Sequence, residues 1–204
     1  MDQVNITRPT HKFFEANVNN DLLDLKKYID SKYLQMKLEN HKDKTIPYDP
    51  GNHWLSFNIF HFYNKGIYNI KENVKNMTKE ACKHYDIDFD DKKYYIHGWF
   101  NYYSEKRYIG VSPDDLNYHD HGDGKYSFHG YYCLNAEPST TYYKIDNKRF
   151  DNVNRNNRAI LSKNGYPHAI GPWDSNENRI TIAYNIVPLE ELSDNQNQEQ
   201  FIPL

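Results

Sequence analysis

The segment "YHDHGDGKYSFHGYYCL", residues 118–134, places three polar side chains at alternate positions and then continues into a run of aromatic residues. In an extended chain, residues two apart point to the same side, so His119, His121 and Asp123 are expected to share one face. Such a group either binds a common ligand or belongs to a solvated loop, where His, Asp and Gly are ordinary residues. The rest of the sequence decides between these two interpretations.

The sequence around this segment, from residue 92 onward, predicts short antiparallel strands. Aromatic and β-branched residues, which favour strands, occur in short runs separated by clusters of Gly, Asn, Asp and Pro. The runs are "KKYYIHGWFNYY", "SFHGYYCL", "TTYYKI", "RAILSK" and "RITIAYNIV". Asn164-Gly165 is a strong hairpin-turn signal. It places His168 at the start of a new strand.

Two helices are predicted before these strands. The first follows Asn20 or Asp21, either of which is a suitable N-cap, and its apolar residues recur at helical spacing. The second covers "IYNIKENVKNMTKEACKHY", residues 67–85. We therefore expect an α+β fold in one domain, residues 1–188, with helical residues 1–91 supporting a β core at 92–188. The polar residues 189–204 are expected to form a surface tail.

The composition excludes several classes of protein. The formal net charge of −3 is not that of a nucleic-acid-binding protein. No stretch approaches the roughly 18 apolar residues of a membrane span. The only cysteines, Cys82 and Cys133, have no metal-binding or redox spacing. We expect a cytoplasmic protein without disulfides, and composition does not indicate its oligomeric state.

A metal site requires a further ligand from a distant segment, and His168 is the candidate. Two His and one carboxylate on one face of a metal are typical of non-heme Fe(II) oxygenases. His121, Asp123 and His168 fit this pattern. The alternative set replaces Asp123 with His119 and has three imidazoles. A straight strand excludes a site with both His119 and Asp123, because they would lie about 13 Å apart at roughly 3.3 Å per residue.

The strand "RITIAYNIV", residues 179–187, has two different faces. Ile180, Ile182 and the following alternate residues form an apolar face, so Arg179 and Thr181 point to the opposite side. Arginine forms bidentate, charge-assisted hydrogen bonds with carboxylates, and a threonine hydroxyl adds a further donor. This face is suited to the distal end of a dicarboxylate such as 2-oxoglutarate.

These segments together resemble the 2-oxoglutarate/Fe(II) oxygenase superfamily, in particular its phage and bacterial members. The resemblance rests on "YHDH", "SFHGYYCLN", "GYPHAIGP" and "NRITIAYNIVP" and covers roughly residues 94–188. It implies a double-stranded β-helix, a jelly roll packed against helices, that uses Fe(II), 2-oxoglutarate and O2. It also implies that the iron ligands are His121, Asp123 and His168, with His119 as the alternative ligand. The residues that it implies contact the co-substrate are Arg179, Thr181, Asn101, Tyr103 and Tyr132.

The resemblance predicts a dioxygenase, most simply a hydroxylase, whose substrate is selected by the loop at residues 104–118. His129 stands where such relatives carry Ser and is interpreted as packing or substrate-facing, and Trp99 is interpreted as packing. Two other functions are compatible with the sequence. One is a cupin-like three-histidine metalloenzyme that needs no 2-oxoglutarate. The other is a non-catalytic jelly-roll binding module in which the histidines are incidental.

Overall fold

The computed structural model describes residues 6–10 (backbone only), 13–40, 57–103, 105–122, 124–125, 127–192 and 200–204. Its helices are α1 (Leu22–Asn40) and α2 (Lys65–His84). Its strands are β1 (Ile6–Thr10), β2 (Phe13–Asn17), β3 (Tyr94–Tyr103), β4 (Phe128–Asn135), β5 (Thr140–Ile145), β6 (Lys148–Val153), β7 (Arg158–Lys163), β8 (His168–Ile170), β9 (Arg179–Pro188) and β10 (Ile202–Pro203).

Two antiparallel sheets form the core of the described chain. The larger has the order β1-β2-β7-β4-β9-β3-β10, and the smaller has the order β6-β5-β8. In the large sheet, β9 is paired over its whole length with β3, from Arg179 opposite Tyr103 to Pro188 opposite Tyr94. A bridge between His119 and His168 adds the 118–120 segment to the free edge of the small sheet. The arrangement is jelly-roll-like, as predicted.

The helices cover one face of the large sheet. α1 packs on β4, and α2 packs on β2 and β7. The alternation of side chains along each strand sends one set of residues toward the helices and the other set toward the small sheet. Tyr184 of β9 contacts Phe60 on the helix side, and Tyr132 of β4 reaches Asn20 at the start of α1. The opposite set faces the space between the two sheets.

Local sequence features define the ends and the buried faces of the helices. Asp21 caps α1, where its carboxylate accepts from the backbone N–H groups of Leu23 and Asp24. Asn64 caps α2 in the same way. The buried positions of α2 recur every three or four residues, as an amphipathic helix requires. They are Ile67, Ile70, Val74, Met77, Thr78, Ala81 and Cys82. No helix among the described residues combines the length and the apolar character needed to cross a bilayer.

Two expectations about the chain ends were wrong. Residues 1–91 are not purely helical, because β1 and β2 extend the large sheet by pairing β2 with β7. Residues 189–204 are not wholly a surface tail, because β10 pairs with β3 and Leu204 is buried. In both cases a strand of five residues or fewer is stabilised by a partner far away in the sequence. A local pattern of hydrophobicity does not contain that information.

Candidate metal centre and its cavity

A cavity of about 310 Å³ lies between the two sheets. Its floor is the face of the large sheet that points away from the helices, and its other walls come from the small sheet and the 119–121 segment. The side chains that line it combine aromatic rings, histidines and one arginine. They are Trp99, Asn101, Tyr103, His119, Asp120, His121, His129, Tyr131, Thr141, His168, Ile170, Arg179, Thr181 and Ala183.

Three histidines from two distant segments converge at this cavity. One ring nitrogen of each of His119, His121 and His168 lies within 4.8 Å of the corresponding nitrogens of the other two. Paired backbone hydrogen bonds of 3.0 and 2.8 Å join His119 to His168. The main-chain oxygen of His121 accepts from the Asn164 side chain at 3.0 Å. Gly122 follows at φ +96°, a backbone conformation that favours glycine.

The protonation of these imidazoles suits metal binding. Burial, together with the neighbouring His168 and His119, lowers the pKa of His121 to about 3. Burial likewise lowers the pKa of His168 to about 4. At neutral pH both rings are therefore uncharged, which is the form that binds metals. Nδ1 of His168 donates to the Tyr166 carbonyl at 3.1 Å, so its Nε2 retains the lone pair.

A fourth histidine, His129, packs against this group from the cavity floor. It is buried, and its ring stacks on that of His121 with 3.8 Å between ring centroids. Nδ1 of His129 bonds the Asn185 side-chain oxygen at 2.9 Å, and burial lowers the pKa of His129 well below its usual value. The close group of donor nitrogens does not include this ring. His129 therefore restrains the orientation of His121.

Arg179 lies at the other end of the cavity floor with part of its guanidinium unpaired. The residue is only 2% exposed, and its Nε donates to the Ser139 hydroxyl at 3.3 Å. Nη1 is buried and has no hydrogen-bond partner, and no acidic side chain of the described residues pairs with the guanidinium. Burial lowers the pKa of Arg179. A buried cation without a counter-ion is unfavourable, so this position suits an anionic ligand.

Next to Arg179, hydrogen bonds fix the orientation of a threonine hydroxyl. Trp99 can only donate, and its Nε1 donates to the side-chain oxygen of Asn101 at 3.1 Å. The Asn101 amide nitrogen then donates to Oγ1 of Thr181 at 3.4 Å. Because that oxygen accepts from Asn101, its own hydrogen is left to donate elsewhere. Trp99, interpreted from the sequence as packing, thus belongs to the cavity floor.

The other predicted site residues have different positions. Tyr103 lines the cavity and carries the Arg107 guanidinium 4.1 Å above its ring. Tyr132 does not face the cavity, because its hydroxyl bonds Asn157 at 2.6 Å and Asn20 on the helix side of the sheet. Its neighbour Tyr131 is on the cavity side instead. Asp123 lies outside the described residues.

Sequence reasoning missed three residues at or next to the cavity, namely Thr141, Ser139 and Asn154. Thr141 lines the cavity, as does Tyr131, which the sequence places in the core or the cavity wall. Ser139 is buried and bonds Arg179, and Asn154 is buried and bonds Ser139. These two lie just outside β5 and β6, where Ser and Asn are common turn residues, and nothing in the sequence distinguishes them.

Comparison with solved structures finds similar oxygenases. A prolyl-4-hydroxylase from Pseudomonas putida aligns with a TM-score of 0.52 and 12% identity, over 86% of this chain and 86% of that chain. The non-heme alpha ketoglutarate dependent epimerase SnoN aligns with a TM-score of 0.51 and 8% identity, over 87% and 76%. A nickel complex of the non-heme monooxygenase ThoJ aligns with a TM-score of 0.49 and 12% identity, over 77% of this chain and 66% of that chain.

Sequence comparison adds nothing to this result, since no protein-family model and no curated protein matches the chain. At identities of 8% and 12%, the similarity to SnoN and the prolyl hydroxylase establishes a shared fold. It confirms the predicted resemblance to 2-oxoglutarate-dependent oxygenases at the level of architecture.

Proposed function

We propose that this protein is an Fe(II)- and 2-oxoglutarate-dependent dioxygenase that hydroxylates a small-molecule or peptide substrate. One observation carries the proposal: a cavity holds three convergent imidazoles on its walls and, on its floor, a buried arginine with an unpaired nitrogen. The imidazoles provide ligands for a divalent metal. The arginine provides a site for an anion that enters the cavity with it.

The chain path supports a double-stranded β-helix as the detailed fold. From β3 onward the chain alternates between the sheets: it leaves the large sheet for the 118–120 segment, returns at β4, and enters the small sheet at β5 and β6. It then returns at β7, crosses at β8 and ends in β9. In this winding, His168 and the bridged 118–120 segment belong to the small sheet and Arg179 belongs to the large sheet, and both line one cavity.

For the metal we propose His119, His121 and His168 as ligands. The group of three nitrogens within 4.8 Å supports this set. The sequence favoured His121, Asp123 and His168, and Asp123 remains the rival third ligand. Iron bound here would supply the oxidising chemistry, with 2-oxoglutarate decarboxylated to succinate and O2 consumed.

The protein's own groups would position the co-substrate and keep water away. Arg179 would bind the distal carboxylate through its unpaired Nη1 edge, and Thr181 would donate its free hydroxyl hydrogen to the same group. Trp99 and Asn101 would hold that hydroxyl in place. The aromatic rings of Trp99 and Tyr131 form an apolar wall, which strengthens these charge interactions by excluding solvent.

The main rival function is a three-histidine metalloenzyme that uses no 2-oxoglutarate. The three-imidazole set is compatible with it. The buried, uncompensated Arg179 argues against it, because such an enzyme gives no reason for placing an unpaired cation in the cavity.

The test is to incubate the purified protein with Fe(II), 2-oxoglutarate, O2 and panels of small-molecule and peptide substrates, and to measure succinate. We expect succinate formation that requires Fe(II) and is absent in His168→Ala. Thr78→Val is the matched control, since it removes a buried hydroxyl that bonds only within α2 and should leave activity intact. Iron-dependent product formation that continues without 2-oxoglutarate would instead support the rival enzyme.

A further inference from the structure

We propose that Ser139 and Asn154 are positioning residues that hold Arg179 in the orientation needed to bind the distal carboxylate of the co-substrate. This inference rests on the proposed function and adds to it the residues that orient Arg179. Neither residue lines the cavity, and both are buried. Their hydrogen bonds connect the loop before β5, the end of β6 and the start of β9.

The Ser139 hydroxyl uses its whole hydrogen-bonding capacity. It donates its hydrogen to the carbonyl of Ala136. One lone pair accepts from the Asn154 side-chain nitrogen at 2.9 Å, and the other accepts from Nε of Arg179 at 3.3 Å. A hydroxyl has one donor and two acceptor positions, so this oxygen has no remaining freedom to rotate.

Asn154 fixes Ser139 in turn. Asn154 has no exposed surface, and its backbone N–H donates to the Ser139 carbonyl at 2.9 Å. Its side-chain oxygen accepts from the Tyr131 hydroxyl at 3.0 Å and from the Thr141 hydroxyl at 3.3 Å. Both lone pairs of the amide oxygen are thus occupied, and the amide nitrogen must point toward Ser139. Tyr131 and Thr141 line the cavity, so the network also links the wall to the arginine.

This network determines which part of the guanidinium is available. With Nε bonded to Ser139, the Nη edge is the part that remains for a ligand, and its Nη1 is buried without a hydrogen-bond partner. Arginine side chains have many rotamers, and holding one of them in advance reduces the entropy lost on binding. A planar carboxylate then meets the edge that matches its geometry.

The experiment measures 2-oxoglutarate affinity in proteins loaded with redox-inert Mn(II), by calorimetry, in the wild type, Ser139→Ala, Asn154→Leu and Thr78→Val. Ser139→Ala removes the acceptor for Nε, and we expect the dissociation constant for 2-oxoglutarate to rise about 10-fold, because hydrogen bonds to charged groups are the stronger ones. Mn(II) affinity should not change. Thr78→Val should leave both constants at wild-type values.

A purely structural role for the network would not produce this selective result. In steady-state assays Ser139→Ala should raise KM for 2-oxoglutarate with little change in kcat, and Ser139→Thr, which keeps the hydroxyl, should restore KM. If Ser139→Ala does not fold, Asn154→Leu provides the same measurement from the other end of the network. If a folded Ser139→Ala or Asn154→Leu protein binds 2-oxoglutarate with wild-type affinity, this inference is overturned and the proposed function is not affected. A wild type that binds Mn(II) but no 2-oxoglutarate overturns the proposed function and the inference together.

Discussion

Replacing Arg179 with methionine should weaken co-substrate binding and, at the same time, leave the metal-free protein as stable as the wild type or more stable. These opposite effects follow from the position of the guanidinium, which is 2% exposed, has an unpaired Nη1 and has no acidic partner among the described residues. In the metal-free protein such a group lowers the free energy of unfolding. With a dicarboxylate bound it becomes an ion pair.

The size of each effect can be worked out. Leaving a buried donor unsatisfied costs about 1–3 kcal/mol, and this cost disappears in Arg179→Met. The substitution also removes the hydrogen bond from Arg179 to Ser139, which offsets about 1 kcal/mol of this gain. The free energy of unfolding should therefore rise by about 0–2 kcal/mol. For binding, two charges about 4 Å apart interact by about 4 kcal/mol at an effective dielectric constant of about 20. Truncating one partner of a buried charge pair costs about 2–5 kcal/mol, or roughly 30- to 4,000-fold in affinity.

Urea unfolding of the chelator-treated protein measures the first quantity, and calorimetric titration of 2-oxoglutarate into the Mn(II)-loaded protein measures the second. Arg158→Met is the matched control, because Arg158 pairs with Glu15 at 3.0 Å and lies outside the cavity. That variant should lose stability and keep 2-oxoglutarate affinity. If Arg179→Met is destabilised by more than about 2 kcal/mol and binds 2-oxoglutarate normally, Arg179 is a structural residue and the reasoning is refuted.

Three further predictions concern the ligands, the threonine anchor and the sheet. His119→Ala should weaken Fe(II) binding by more than the roughly 10- to 100-fold typical of residues that only support ligands. Asp123→Ala should weaken Fe(II) binding less than His119→Ala does. If equilibrium dialysis shows the reverse order, Asp123 replaces His119 in the ligand set. Asn101→Ala should raise KM for 2-oxoglutarate about 3- to 10-fold without affecting metal affinity, since it releases the Thr181 hydroxyl, and an unchanged KM would contradict that role. Gly130→Ala should destabilise the protein by at least about 1–3 kcal/mol in urea unfolding, because the added Cβ would clash with the Ile160 carbonyl oxygen of β7; wild-type stability would mean that β4 and β7 can move apart at this position.

Much of the β core could be predicted because it depends on local alternation. The faces of β9 were correct, since a strand with Ile180, Ile182, Tyr184 and Ile186 on one side must present Arg179 and Thr181 on the other. The turn at Asn164-Gly165 correctly placed His168 at the start of β8. The same alternation, applied to β4 from His129, places Tyr132 on the helix side.

The remaining features depend on long-range packing that one sequence does not encode locally. β2 is a strand because β7 lies beside it, and β10 is a strand because the edge of β3 is free to pair. Ser139 and Asn154 come together only after β5 and β6 have paired. The proximity of His119 to His168 likewise results from backbone pairing at the edge of the small sheet. Spacing within residues 118–124 therefore left the ligand set open.

The most direct test of the central claim is an anaerobic titration of the metal-free protein with Fe(II) and then with 2-oxoglutarate, followed by visible absorption. We expect a weak metal-to-ligand charge-transfer band that saturates at a single equivalent of iron, and no band in His168→Ala under the same conditions. A folded wild-type protein that retains no iron, or that binds iron and shows no band with 2-oxoglutarate, would contradict it.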